Sequence, residues 1–88
     1  MIKPEGTTET RDHIEETVIK VIVEKLDVDR NRVTREASFY TDLPVDSLEK
    51  IEIVMELEEA FDLSIPEEDA NTFKTVGDVI EYLAAHVP

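Results

Sequence analysis

"DSLEKIEIVMELEEAF", residues 46–61, opens on a helix-start signal and then runs without a proline or glycine. Asp46 can serve as an N-cap, and Glu49 three residues later gives the spacing of a capping box, with Asp in place of Ser or Thr. The pattern predicts a helix from Ser47 to about Phe61. With Leu48 at zero and about 100° per residue, Ile53, Leu57, Phe61 and Val54 fall near about 140°, 180°, 220° and 240°. That is a core stripe. Leu48, Ile51 and Met55 fall near about 0°, 300° and 340°, on the opposite side of the cylinder. Glu59, Glu52, Glu56 and Glu49 border this second stripe, between about 20° and 100°.

A helix that is apolar on two sides is either sandwiched in a larger bundle or used for contact. Eighty-eight residues leave little chain to cover the second side. An exposed apolar seam with an acidic border reads as a docking surface. Met55 suits such a surface, because its flexible thioether repacks against different partners. The competing possibility is that residues 27–46 fold across the seam and bury it.

Working outward, residues 1–7 read as a flexible leader, with Pro4 and Gly6 blocking regular structure. From Thr8 or Thr10 the pattern is helical. Ile14, Val18, Val21 and Ile22 form one stripe, widened by Ile19, Val23 and Leu26, and the helix should end near Lys25 or Leu26. Residues 27–46 have little periodicity, but Phe39 and Leu43 should plug the core from this long loop. A connection of about 20 residues is unusual in a compact domain and is often functional. "SIPEEDANTF", residues 64–73, reads as a short helical turn with Pro66 at its first position. The last helix opens at Thr75, again with an acid three residues on at Asp78, and Val76, Val79, Ile80, Leu83 and Val87 form its stripe. No repeat and no strand period is present. The expectation is an all-α fold: a small bundle of three main helices plus one short one, with a long loop between helices one and two. Residues 8–88 make a single domain.

Size and charge narrow the function. A chain this short buries only roughly 60–65% of its unfolded surface, which leaves no room for a deep catalytic cleft. A binding module or carrier is favoured over an enzyme. There is no cysteine, so disulfides, thiolate metal sites and cysteine nucleophiles are excluded, and a reducing cytoplasm suits the chain. No apolar run approaches the roughly 18 residues of a membrane span, and "MIKPEGTTETRDH" lacks the apolar segment of a signal peptide. The net charge of −13 would repel nucleic acid. It favours basic protein partners, with steering that salt screens. From Asp42 to Asp69 eleven acids face Lys50 alone, a net −10.

Ser47 falls in the first turn of the second helix, where unpaired N–H groups and the helix dipole favour an anion. A phosphate ester on its hydroxyl would be stabilised there, although serines also cap helices routinely. Taken with its surroundings, the sequence resembles the acyl carrier protein family. The resemblance rests on "ASFYTDLPVDSLEKIEIVMELEEAFDLSIPEEDANTFKTVGDVIEYL". Its sharp parts are the "DSL" triplet opening a helix, then "EIVMELEEAF", "IPEEDA" and "TVGDVIEYL" in register.

The resemblance implies that Ser47 carries a 4′-phosphopantetheine arm through a phosphodiester, whose thiol holds the acyl chain as a thioester. Thiol chemistry then needs no cysteine. Asp46 and the acids after Ser47 would meet basic residues of a phosphopantetheinyl transferase. The other partners implied are the acyltransferase, ketosynthase, ketoreductase, dehydratase and enoyl reductase of fatty acid synthesis. Recognition would fall on Leu48, Glu49, Ile51, Glu52, Met55, Glu56 and Glu59, and the acyl chain would be sheltered near Ile53, Leu57 and Ile65. The protein would be a monomeric cytoplasmic carrier that catalyses nothing itself. One departure stands out: the family commonly has glycine two residues before the aspartate of "DSL", and here that residue is Pro44. Its locked φ and missing N–H should stiffen the approach to Ser47 or bend it differently.

Other readings are weaker. Asp27, Asp29 and Asn31 have the spacing that opens a calcium loop, but Arg32 and Ser38 occupy the positions needing glycine and glutamate. His13 and His86 lie near opposite ends with no ligand spacing between them. No nucleophile elbow surrounds Ser47, so a serine hydrolase is disfavoured. A carrier for polyketide or nonribosomal peptide assembly, a kinase phosphoacceptor and an unmodified acidic interaction module remain as alternatives.

Overall fold

The computed structural model describes residues 11–43 and 45–87. The predicted leader, the helix start at Thr8 or Thr10, and Pro44 lie outside the described residues. In chain order the elements are α1 (Arg11–Leu26), a 3₁₀ turn (Arg30–Arg32), α2 (Ser47–Phe61), α3 (Glu67–Ala70) and α4 (Val76–His86). α1 packs against both α2 and α4.

The helix boundaries follow local chemistry. At α2, Asp46 accepts a hydrogen bond from the Glu49 N–H at 2.8 Å, and Glu49 accepts one from the Asp46 N–H at 3.2 Å. This reciprocal box satisfies donors that a helix start otherwise leaves unpaired. α4 begins the same way, with the Asp78 N–H donating to the Thr75 hydroxyl and the Thr75 N–H donating to Asp78, both at 3.1 Å. α1 and α2 both stop on an aspartate in the left-handed region, Asp27 at φ 55° and Asp62 at φ 54°. Glycine is usual there, but a short polar side chain tolerates it. Pro66 sits one residue earlier than the sequence suggested. It is the N-cap of α3, in extended conformation, and lies outside the four-residue helix. A missing N–H costs nothing at either position.

Ile14, Val18 and Ile22 of α1, Ile53 and Leu57 of α2, and Val76, Ile80 and Leu83 of α4 are all 3% exposed or less. They form one core. In α1, Ile19 is buried while Val21 is only partly so. Both belong to the predicted, widened stripe, and Ile19 at its edge is the more deeply buried because α1 must face two helices at once. Val87, predicted to close the α4 stripe, is likewise only partly buried.

The long connection is not structureless. Val33, Ala37, Phe39 and Leu43 all reach the core from it. Asp29 caps the 3₁₀ turn by accepting from the Asn31 N–H at 2.9 Å, so this carboxylate is engaged as a cap. The segment is then pinned to the start of α4. The Phe39 N–H donates to Lys74 O at 2.9 Å, the Val76 N–H to Ala37 O at 3.1 Å, and the Gly77 N–H to Arg35 O at 2.8 Å. A Cβ at position 77 would stand 3.0 Å from that Arg35 oxygen, so any larger residue would have to push the loop back by a few tenths of an ångström. Main-chain bonds of this kind leave no periodic trace in a sequence. They also hold the loop at the start of α4.

Candidate functional site

Ser47 is the first residue of α2 and is exposed. The N-cap role belongs to Asp46, so the serine is not occupied by capping. Its hydroxyl makes no hydrogen bond to any described residue. The N–H groups of Ser47 and Leu48 have no partner within the helix, which leaves the positive end of the α2 dipole beside that hydroxyl.

The same serine stands on the rim of a groove of about 640 Å³. One wall is α2, contributing Ser47, Lys50, Ile51, Val54 and Met55. The loop contributes Phe39, Tyr40 and Val45, and the α3 region contributes Ile65, Glu67 and Ala70. Three segments distant in sequence thus line one groove together with Ser47.

The far wall is held by two side-chain contacts. Glu58 accepts the Ile65 N–H at 2.7 Å, tying the end of α2 to the turn before α3. The Tyr82 hydroxyl donates to Asp69 at 2.9 Å, tying α3 to α4. Tyr82 also meets Phe73 edge-on at 5.3 Å and stacks on His86 at 4.0 Å. Burial, the hydrogen bond to Asp69 and the Asp69 charge together raise the Tyr82 pKa above its ordinary value. Neither Glu58 nor Tyr82 stands out by residue type, and only their partners give them this role.

The residues predicted for the acyl chain do not share one cavity. Ile65 lines the groove. Ile53 and Leu57 instead border an inner space of about 10 Å³, room for about one water-sized probe. Phe39, Val45, Lys50 and Val54 line both spaces and stand between them. These four residues therefore separate Ile65 from Ile53 and Leu57, which the family resemblance groups around one acyl chain.

The second face of α2 is open. Leu48, Ile51 and Met55 are 63%, 56% and 55% exposed, and residues 27–46 do not cover them. Of the acids beside them, Glu56 and Glu59 are exposed, and Glu49 and Glu52 are half-buried. Glu49 is engaged in the capping box, and Glu56 approaches Lys25 of α1 at 3.7 Å. The four acids are thus unequal in how freely they can meet a partner. Tyr40, Lys50 and Val54, which line the groove, were not singled out as site residues from the sequence. For Lys50 a signal existed, since it is the lone cation of the acidic stretch and lies one turn after Ser47. No helix among the described residues is long and apolar enough to cross a membrane.

Comparison with known proteins places the chain in a family. Residues 16–83 match the family model described as phosphopantetheine attachment site. An acyl carrier protein of Porphyromonas gingivalis is 49% identical over 70 residues, which cover 80% of this chain and 90% of that protein. An acyl carrier protein of Clostridium perfringens is 48% identical over 67 residues, covering 76% of this chain and 88% of the relative. The residues present fit a covalent phosphopantetheine, since they offer an unengaged hydroxyl, free N–H groups and a roomy groove beside it. The chain belongs to the phosphopantetheine-attachment family, among the acyl carrier proteins.

Proposed function

We propose that Ser47 is the residue esterified by 4′-phosphopantetheine, and that the chain carries acyl groups among the enzymes of fatty acid synthesis without catalysing any step itself. The observation that carries this reading is the Ser47 hydroxyl, which is exposed, relieved of capping by Asp46, and set on the rim of the groove. When bound, the group supplies a terminal thiol that takes the acyl chain as a thioester.

The chain's own residues do the rest. Asp46 fixes the start of α2 and so fixes the backbone from which the Ser47 side chain projects. The Ser47 and Leu48 N–H groups favour the phosphodiester anion at that point. Leu48, Ile51 and Met55 offer an apolar seam to partner enzymes, and Glu49, Glu52, Glu56 and Glu59 border it with charge that basic partner surfaces complement. Ile65 offers apolar contact along the groove, and Ile53 and Leu57 lie behind the partition. The partners are a phosphopantetheinyl transferase, then the acyltransferase, ketosynthase, ketoreductase, dehydratase and enoyl reductase that work on the carried chain. Residues 8–88 act as one monomeric unit in the cytoplasm.

Intact mass after incubation with a phosphopantetheinyl transferase and coenzyme A tests the assignment. The wild-type chain should gain one phosphopantetheine, and Ser47→Ala should gain none. Loading of Ser47→Ala would sink the proposal. Fatty acyl groups on protein purified from its own cells would support the pathway, and aminoacyl or polyketide groups would redirect it.

A further inference from the structure

Lys50 is the one cation between Asp42 and Asp69, a stretch with eleven acids. It nevertheless pairs with none of them among the described residues. Its ammonium lies 3.5 Å from the Phe73 carbonyl oxygen and 5.6 Å from the centre of the Tyr40 ring. Both contacts are weak ones, a hydrogen bond at its outer limit and a cation–π contact near the edge of its range. They hold the charge at the groove without neutralising it. Among the residues lining that groove, Asp46, Glu58 and Glu67 are acids and Lys50 is the single base.

Lys50 stands one turn after Ser47, so the two side chains share a helix face with Cβ atoms about 5–6 Å apart. Helical side chains lean towards the N-terminus, which directs the lysine stem back towards Ser47. A phosphodiester on Ser47 would add a negative charge beside Asp46 and in front of Glu58 and Glu67. The two free N–H groups supply only partial charges against it. The half-buried ammonium supplies a full one.

We infer that Lys50 is a positioning residue for the carried group: its ammonium leaves the Phe73 carbonyl, pairs with the phosphodiester on Ser47, and lays the arm along the groove under Tyr40. This rests on the assignment of Ser47. Exchange of two weak contacts with uncharged partners for one short bond between opposite charges gives the swing its direction. Lys50 touches no reacting atom, so its role is to hold the arm.

A cycle of four unfolding midpoints separates this role from simple packing: apo and holo protein, each as wild type and as Lys50→Met. Packing lost with the lysine lowers apo and holo alike. The phosphate contact exists only in holo, so Lys50→Met should lower the holo midpoint by about 4 °C more than the apo midpoint, the scale of one modest interaction in a domain this size. Lys50→Arg should keep the wild-type difference. The ³¹P resonance of the holo protein should also move in Lys50→Met and stay in place in a Lys25→Met control. Equal apo and holo shifts with an unmoved ³¹P resonance would overturn the role of Lys50 while leaving Ser47 intact. A wild-type chain that does not load at Ser47 would overturn both.

Discussion

Ile53 and Leu57 are 3% and 1% exposed, whereas Ile51 and Met55, two positions before each, are 56% and 55% exposed. All four are large apolar residues on one uninterrupted helix. Two positions rotate a helical side chain by about 200°, so each pair looks in nearly opposite directions. α1 and the core lie on one side. On the other, among the described residues, the segment long enough to cover the seam is the 27–46 connection, and its main-chain bonds to Lys74, Val76 and Gly77 commit it to α4. Hydrophobicity thus does not by itself say what a residue is for. A stripe that the fold buries supports the fold, and a stripe that the fold leaves uncovered is available to something else.

Substitution on the two faces should separate them cleanly. Leu57→Ala should cost about 2–5 kcal/mol in urea unfolding, because it removes buried methyls and leaves a cavity. That is a large share of the roughly 5–15 kcal/mol available to a small domain. A cost below about 1 kcal/mol would mean that the inner face collapses freely, and the contrast would weaken. Ile51→Glu or Met55→Glu should change stability by no more than about 0.5 kcal/mol. Turnover by a partner enzyme at limiting carrier should nevertheless fall about tenfold, equivalent to one apolar contact of about 1.4 kcal/mol. A large loss of stability with unchanged turnover would reverse the roles of the faces.

The smallest effect concerns the wall that faces α2 across the groove. Folding raises the Tyr82 pKa, so the folded state holds that proton more tightly than the unfolded chain does. The resulting stabilisation is complete below about pH 10. It is lost as the pH rises through the folded-state value. Tyr82→Phe should therefore show a shallower alkaline decline in stability than wild type, together with a small loss at neutral pH from the missing bond to Asp69. Parallel alkaline curves for the two proteins would show that this bond does not anchor α3.

Much of this was legible in the sequence where the cause is local. The bounds of α2 were readable because Asp46 and Glu49 close a hydrogen-bond box within four residues, and the same holds for Thr75 and Asp78 at α4. Ser47 stood out as a candidate because it sits in the "DSL" triplet that opens α2 and carries the family resemblance; its place at a helix start was only a weak signal by itself. That Ile19 is buried and Val21 only partly so was not readable, since it depends on the angle at which two helices arrive. The partition between the groove and Ile53 and Leu57 was hidden for a similar reason. It is built by Phe39 and Val45 from the loop against Lys50 and Val54 from α2, and no spacing rule relates those segments.

By itself, then, the sequence determined the helices, the caps that open α2 and α4, the two apolar stripes of α2 and the acidic field around Ser47. Each of these rests on interactions between residues a few positions apart, or on charge that needs no particular fold. Tertiary structure decided which stripe stays open, that three distant segments line one groove together with Ser47, and that one lysine among eleven acids keeps its charge unpaired there. Those outcomes depend on where the long connection spends its main-chain hydrogen bonds, and a backbone bond carries no side-chain signature.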